Sequence, residues 1–283
     1  MPPEHLEQRA GQPGFRSEEE AVAWDRGAAS RAKTLGAATA RMLDLAHLGP
    51  GDRVLDLAAG TGEQSLLAAR RVGPTGTVLA TDIDANGLAI AADAARAAGL
   101  ANVTTRVLDA QALDLDLASF DAAISRLGLM FVRDLHQTLR GIAHILKPGG
   151  RLAVLVFSTP DRNPALAIPQ AIGRRHAHPA QRGPGEARMF SLGAPGLLAT
   201  ALVKAGFSEV AVEAVPTAQR FPDAAAYVRF LRESFVAMQR LLAGLGDAER
   251  EATWHEVAQA CRQFEGSEGF SASGEVLIGS GTR

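Results

Sequence analysis

Hydrophobic positions fall into two patterns that alternate along the chain. Short runs dense in Val, Leu, Ile and Ala stand at Val54–Leu57, Thr77–Thr81, Val103–Leu108, Ala122–Ser125 and Arg151–Phe157. Between them apolar residues recur at helical spacing, over Gln64–Val72, over Ala85–Ala98 and along the stripe Leu135, Leu139, Ile142 and Leu146. Runs that are apolar on both faces suit buried parallel strands, and the periodic stretches suit the helices that cover them. Turn signals separate the two: Gly49-Pro50-Gly51-Asp52, Gly73-Pro74-Thr75-Gly76 and Lys147-Pro148-Gly149-Gly150, with Asp84 and Asp134 placed to cap helices. Five strand–helix units in alternation predict an α/β fold, a doubly wound Rossmann-like sheet joined by right-handed crossovers.

The flanks read differently. Met1–Gly14 is polar, carries three prolines and is expected to be mobile. Ser17 can cap a helix with Glu18, Glu19 and Glu20 in its first turn, and apolar positions continue to Leu48. Beyond Phe157 the pattern loosens over Ser158–Ser191. A helix is expected over Ala194–Ala205 and a sixth strand over Glu209–Val215. Two amphipathic helices follow, with Asp223 and Asp247 as caps, and a last strand over Ala272–Gly279. The expected organisation is one domain: a helical arm (1–48), a core (49–157), an insertion over the site (158–192) and the end of the sheet (193–283) with a two-helix insertion (222–266).

The stretch richest in chemistry is Arg53–Gly62, RVLDLAAGTG. A strand, a glycine turn and a helix N-terminus make a nucleotide-binding crevice, and the glycines let backbone approach a ligand. A dinucleotide fingerprint would need a third glycine, and the run here is Gly60-Thr61-Gly62-Glu63-Gln64-Ser65. Glu63 also places negative charge where a pyrophosphate would sit. A ligand with a cationic centre and no phosphate suits the turn better. Asp82, about 20 residues on at the end of the second strand, is positioned to accept hydrogen bonds from two ribose hydroxyls.

Bulk properties narrow the classes. Lys+Arg 29 against Asp+Glu 31 leaves a net charge of −2, so no overall field favours nucleic acid or anionic membrane. The lone Cys261 excludes an internal disulfide framework and a cysteine-based zinc site. No uncharged run is long enough to span a membrane, and the N-terminus lacks the apolar core of a secretory signal, so a cytoplasmic protein is expected. Arg174, Arg175, His176, His178, Arg182 and Arg188 form either a solvated face or a site for an acidic group. His176 and His178 have no third partner in sight, and no metal is expected.

At these residues the chain resembles the class I S-adenosylmethionine-dependent methyltransferases, and is similar to the ubiquinone/menaquinone-biosynthesis type of small-molecule enzyme. The VLDLAAGTG turn, Asp82, the Asp109-Ala110 pair and the KPGG-strand carry the resemblance, in detail from Ala21 to Phe157. It implies a seven-stranded sheet whose last strand is antiparallel. It implies S-adenosylmethionine as cofactor, bound around Asp56, Ala58, Gly60, Gly62, Glu63, Asp82, Ile83, Asp109, Ala110 and Arg126. Glu63 would support the sulfonium and amino end, and Ile83 would pack on the adenine. It further implies a substrate pocket at Trp24, Leu127, Met130 and Phe157, with the arm folding over the cofactor. Core packing remains the alternative for Trp24 and for Leu127–Phe131. The implied function is methyl transfer to a C, O or N atom of a small molecule. No catalytic base is assigned, His136, His176 and His178 being the weak candidates. The two late helices would cover the pocket or form a homodimer face. Two other readings stay open: a protein that holds the same cofactor without methylating, and an NAD-dependent oxidoreductase, against which Glu63 and the missing glycine count.

Overall fold

The short apolar runs become the middle of one mixed sheet. A computed structural model of the chain describes residues 14–15, 17–179 and 186–283. The mobility expected of Met1–Gly14 concerns residues that, Gly14 apart, lie outside the described residues, as does Arg182 of the basic cluster. The strands are β1 (Arg53–Leu57), β2 (Thr77–Asp82), β3 (Val103–Val107), β4 (Phe120–Arg126), β5 (Leu146–Phe157), β6 (Ser208–Phe221), the two-residue β7 (Glu265–Gly266) and β8 (Gly269–Thr282). Their order is β3-β2-β1-β4-β5-β8-β6, with β7 pairing β8 beside the path. Strands β1 to β5 are parallel to one another. β8 runs antiparallel between β5 and β6: Gly279 stands opposite both Val154 and Val212.

Consecutive residues Val54, Leu55, Asp56 and Leu57 are all buried, which requires cover on both faces of β1. The helices that provide cover are α1 (Glu18–Arg26), α2 (Ala28–Leu45), α3 (Glu63–Val72), α4 (Ala85–Ala97), α5 (Leu135–Ile145), α6 (Pro164–His176), α7 (Leu197–Lys204), α8 (Ala224–Ser234), α9 (Val236–Leu242) and α10 (Asp247–Cys261). α3 and α4 pack on the β1–β2–β3 half, and α2 and α7 reach the β6–β8 half. α6, α8, α9 and α10 pack on one another, and α1 touches α4, α8 and α9. A buried aromatic group ties this cover down. The Tyr227 ring stacks on Phe270 of β8 at 4.4 Å between centroids, and its hydroxyl donates to the Ala165 carbonyl at 2.7 Å.

Four expectations need correction. The arm is two helices, broken at Gly27, where a Cβ would stand 2.7 Å from the Arg31 guanidinium as that side chain turns back toward Trp24. The insertion after β5 is a 13-residue helix, α6, with Pro164 in its first turn and Pro169 inside it. The expected helix over Ala194–Ala205 is shorter, starting at Leu197 after Gly196 in the left-handed region. The two late helices are three. Phe235 (φ −95°, ψ 81°) leaves helical geometry and separates α8 from α9, and Asp247 is the first residue of α10, not its cap. The Glu249 carboxylate accepts from the Gly246 N–H at 3.1 Å and satisfies that end instead.

Candidate functional site

β1 and β4 are neighbours in the sheet, yet their helices leave in opposite directions, so a crevice opens beyond their C-terminal ends. A cavity of about 290 Å³ occupies that crevice. Its floor is the turn Ala58-Ala59-Gly60-Thr61. Ala58 and Leu127, both non-glycine, hold φ of +55° and +60° just past the two strands. A Cβ on Gly128 would stand 2.4 Å from that of Ala58, so the two turns touch backbone to side chain. Left-handed backbone at such residues costs about 1–3 kcal/mol each and concentrates at sites of function.

Of the cofactor residues named from sequence, Ala58, Gly60, Glu63, Asp82, Ile83, Asp109, Ala110 and Arg126 line this cavity. Trp24, Leu127, Met130 and Phe157, named for substrate, line it too. Asp56 and Gly62 do not. Gly62 is left-handed (φ +82°), and a Cβ there would lie 2.7 Å from that of Ala91, so it serves the α3–α4 approach. Asp56 is fully buried beneath the turn, accepting from the Ser65 hydroxyl and from Gln64 Nε2 at 3.1 Å. It braces α3 against β1 and touches the ligand space only through the turn it supports.

Burial pushes the Asp56 carboxyl up to about 7, against the lowering effect of its two donors. The sign follows from the unfolded value near 3.8. Between those two pH values the native state keeps a proton that the unfolded chain releases, so this stabilisation is full at acid pH and lost as pH rises through 7. Relative to Asp56→Asn, the parent is expected to lose roughly 2 kcal/mol of unfolding free energy between pH 5 and pH 8. Urea titrations of both proteins at the two pH values check this. A constant difference means that Asp56 is ionised in the fold throughout.

Asp82 ends β2 and is 8% exposed. One of its oxygens accepts from Gly60 N at 2.8 Å and the other from Asp84 N at 3.0 Å. Burial raises its pKa while these backbone donors act the other way. Each oxygen retains a lone pair, and the residue borders the cavity, which suits two vicinal hydroxyls. Asp109 accepts from Gln111 N at 2.9 Å, an Asx turn that presents the Leu108–Gln111 segment along the same wall. Asp84 caps α4 by accepting from Gly87 N at 2.7 Å.

Glu63, first residue of α3, is clamped by two guanidinium groups. Arg31 of α2 donates to both of its oxygens at 3.1 Å, and Arg126 of β4 donates to one of them. The three side chains are 17%, 9% and 6% exposed. This corrects the expected role of Glu63 as the charge facing a sulfonium: its carboxylate is already matched, and the cluster carries one surplus positive charge. Burial lowers the Arg31 pKa, and Glu63 opposes that. Arg31 also lies 4.0 Å from the Trp24 ring centroid, and Trp24 Nε1 lies 3.9 Å from where a Gly60 Cβ would be. The arm thus closes over the glycine turn. Arg31, Gln64 and Gln170 escape sequence reasoning because no local motif marks them. The histidine candidates stay outside. His136, His176 and His178 are exposed and none borders the cavity; His176 Nε2 instead meets Glu256 at 2.7 Å on the outer side of α6. Among the described residues no cluster of three metal-ligating side chains occurs.

The donor set fits S-adenosylmethionine. It offers a carboxylate for ribose, an apolar wall at Ile83 and Leu108 for a purine, and surplus positive charge for an amino-acid carboxylate. The buried Thr61 hydroxyl, without a protein partner, sits on the floor. Sheet order, glycine turn and strand-end acid are those of a doubly wound α/β sheet that binds a nucleotide-like ligand at its switch point. Residues 48–176 match the family model of the methyltransferase domain. The ubiquinone/menaquinone biosynthesis C-methyltransferase UbiE of Ectopseudomonas mendocina (strain ymp) is 41% identical over 126 residues, 44% of this chain and 49% of that protein. Its counterpart in Pasteurella multocida (strain Pm70) is 39% identical over 127 residues, 44% of this chain and 47% of that one. The chain thus spans about half the length of the curated relatives it matches. Among solved structures, the [4+2]-cyclase SpnF superposes with a TM-score of 0.54 at 25% identity, covering 87% of this chain and 80% of that one. A Haemonchus contortus phosphoethanolamine N-methyltransferase 2 in complex with S-adenosyl-L-methionine gives 0.59 at 16% identity, over 95% of this chain and 57% of that one, a likeness of fold.

Proposed function

We propose that the whole protein transfers a methyl group from S-adenosylmethionine to a C, O or N atom of a small molecule. The observation that carries this is one cavity bordered both by the ribose-side Asp82 and Asp109 segments and by the apolar residues Met130, Phe157, Leu166 and Phe230. When bound, S-adenosylmethionine supplies a methyl already activated by its sulfonium. Asp82 holds the ribose, Ile83 and the Asp109-Ala110 wall hold the adenine, and Arg31 with Arg126 attracts the carboxylate. Trp24 and the arm exclude water, which keeps the two reactants aligned and dry.

Among the described residues lining the cavity there is no His, Lys, Tyr or Cys. Its carboxylates are engaged with Arg31 and Arg126 or with backbone donors. The acceptor therefore arrives with its own nucleophile, such as an enolised carbon, an acidic phenol or a free amine. The reading implies a cytoplasmic protein, and no described helix is long and apolar enough to cross a membrane. A homodimer formed through the late helices is compatible with the reading and is not required by it.

Calorimetric titration with S-adenosylmethionine, with NAD as control, tests the cofactor. Micromolar binding of the first and none of the second is expected; NAD binding alone would overturn the reading. A second reading, retention of the cofactor without methylation, is favoured by the missing base and by the 25% identity to a cyclase. Release of S-adenosylhomocysteine in the presence of a small-molecule extract separates the two.

A further inference from the structure

Among the described residues, three arginines border the cavity: Arg31, Arg126 and Arg240. The first two share Glu63, and the third is matched elsewhere. Arg240 lies on α9 and reaches the arm, 220 residues back along the chain. Its Nε donates to one Glu20 oxygen at 2.9 Å. Its Nη2 donates to the other at 2.5 Å and to the Gly14 carbonyl at 2.6 Å. The two side chains of the pair are 17% and 18% exposed, so solvent screens them far less than the open pairs of the surface.

What Arg240 holds in place lies on the ribose side. A Cβ on Gly14 would stand 2.8 Å from Ile83 Cγ2 and 3.9 Å from Asp82 Oδ1, so residue 14 lies across the end of β2. Phe15 borders the cavity, with Cε2 3.1 Å from where a Gly87 Cβ would be and its ring centroid 6.2 Å from that of Trp24. The helix that carries Arg240 covers the other end, where Val236 and Ala237 border the cavity beside Phe235. α1 has a pivot opposite this attachment. It breaks from α2 at Gly27, where a Cβ would stand 3.1 Å from that of Ser234, so the break sits close on α8.

We propose that Arg240 is a positioning residue that latches the arm to the roof, so that cofactor enters and leaves only when α9 lets go of Glu20 and Gly14. With the latch closed, Gly14 and Phe15 block the ribose end. With it open, α1 swings about Gly27 and uncovers that end. One side chain thereby ties cofactor exchange to the helix that borders the apolar end of the cavity, and a movement at either end is felt at the other. The proposal rests on the cofactor reading of this cavity and adds the gate that controls it.

The test uses the full chain as parent, Arg240→Met, Glu20→Gln and the double variant. Surface plasmon resonance reads the association and dissociation rates of S-adenosylmethionine separately. Both rates are expected to rise about tenfold in Arg240→Met, the value of one hydrogen bond to a charged group, while the Kd moves less than about threefold. The double variant should match Arg240→Met within about twofold, because the two residues act as one pair. Hydrogen exchange without any ligand gives an independent reading. Arg240→Met, on α9, should speed exchange in α1, and Glu20→Gln, on α1, should speed exchange in α9, with β1–β5 unchanged. A dissociation rate that rises alone means that Arg240 holds the cofactor directly, and overturns the latch. So do rates that stay at the parent's values, or exchange that changes only in the substituted helix; each leaves the cofactor reading in place. Failure of S-adenosylmethionine to bind the parent overturns that reading and the gate with it.

Discussion

Glu63→Gln melts about 10 °C below the parent, because two buried guanidinium groups are left facing one another without their shared carboxylate. Arg31 and Arg126 reach Glu63 from different elements, α2 and β4, so the carboxylate joins the arm to the sheet. Removing one member of a mostly buried ion cluster costs about 3–5 kcal/mol, far more than losing an exposed pair. An exposed comparison is at hand in Arg96 with Asp93, where both side chains exceed 70% exposure. Asp93→Asn is expected to shift the midpoint by about 1 °C or less. Calorimetry of both variants gives the contrast. A Glu63→Gln midpoint within 2 °C of the parent would mean that the two arginines find other partners or hydrate freely.

Asp82→Ala weakens S-adenosylmethionine binding roughly 100-fold, the effect of losing two hydrogen bonds to a charged acceptor. The carboxylate also fixes the ligand-side turn through Gly60 N, so part of the loss comes from a looser floor. Asp82→Asn separates the contributions: an amide oxygen can still accept from Gly60, and the expected loss falls to about tenfold. Titration calorimetry of both variants measures this, with circular dichroism reporting on the fold. An affinity within threefold of the parent in Asp82→Ala would remove the ribose assignment.

The glycine turn and Asp82 were legible because their geometry is local. Strand, turn and helix are contiguous from Arg53 to Val72, and the short-range pattern fixes where the backbone must open. Asp109 and Arg126 were legible for the same reason, each lying just past a strand end or at it. α6 was not. Two prolines and Gly173 within 13 residues lower its helical propensity, and tertiary contacts with β8, α9 and α10 decide its conformation. Gln170 was hidden with it. Arg31 was hidden because its meaning depends on where α2 crosses β4 and α3, a long-range fact. Asp56 misled in the opposite sense. A lone charge in an apolar strand suggests a ligand contact, yet here it faces Gln64 and Ser65 of the covering helix.

The position of β8 governs the order in which the molecule can be completed. β6 pairs with the rest of the sheet only through β8, which is made after β6 and after α6, α8 and α9, the helices that border the cavity on that side. During synthesis the β1–β5 half can pair as it emerges, while β6 waits for a partner still inside the ribosome. The last strand inserts in the middle, like a drawer sliding between two fixed rails, and draws the roof down as it seats. Long-range closure of this kind is slow, and until it happens two sheet edges stand open. A newborn chain is therefore able to fold its cofactor half before it owns a place for an acceptor.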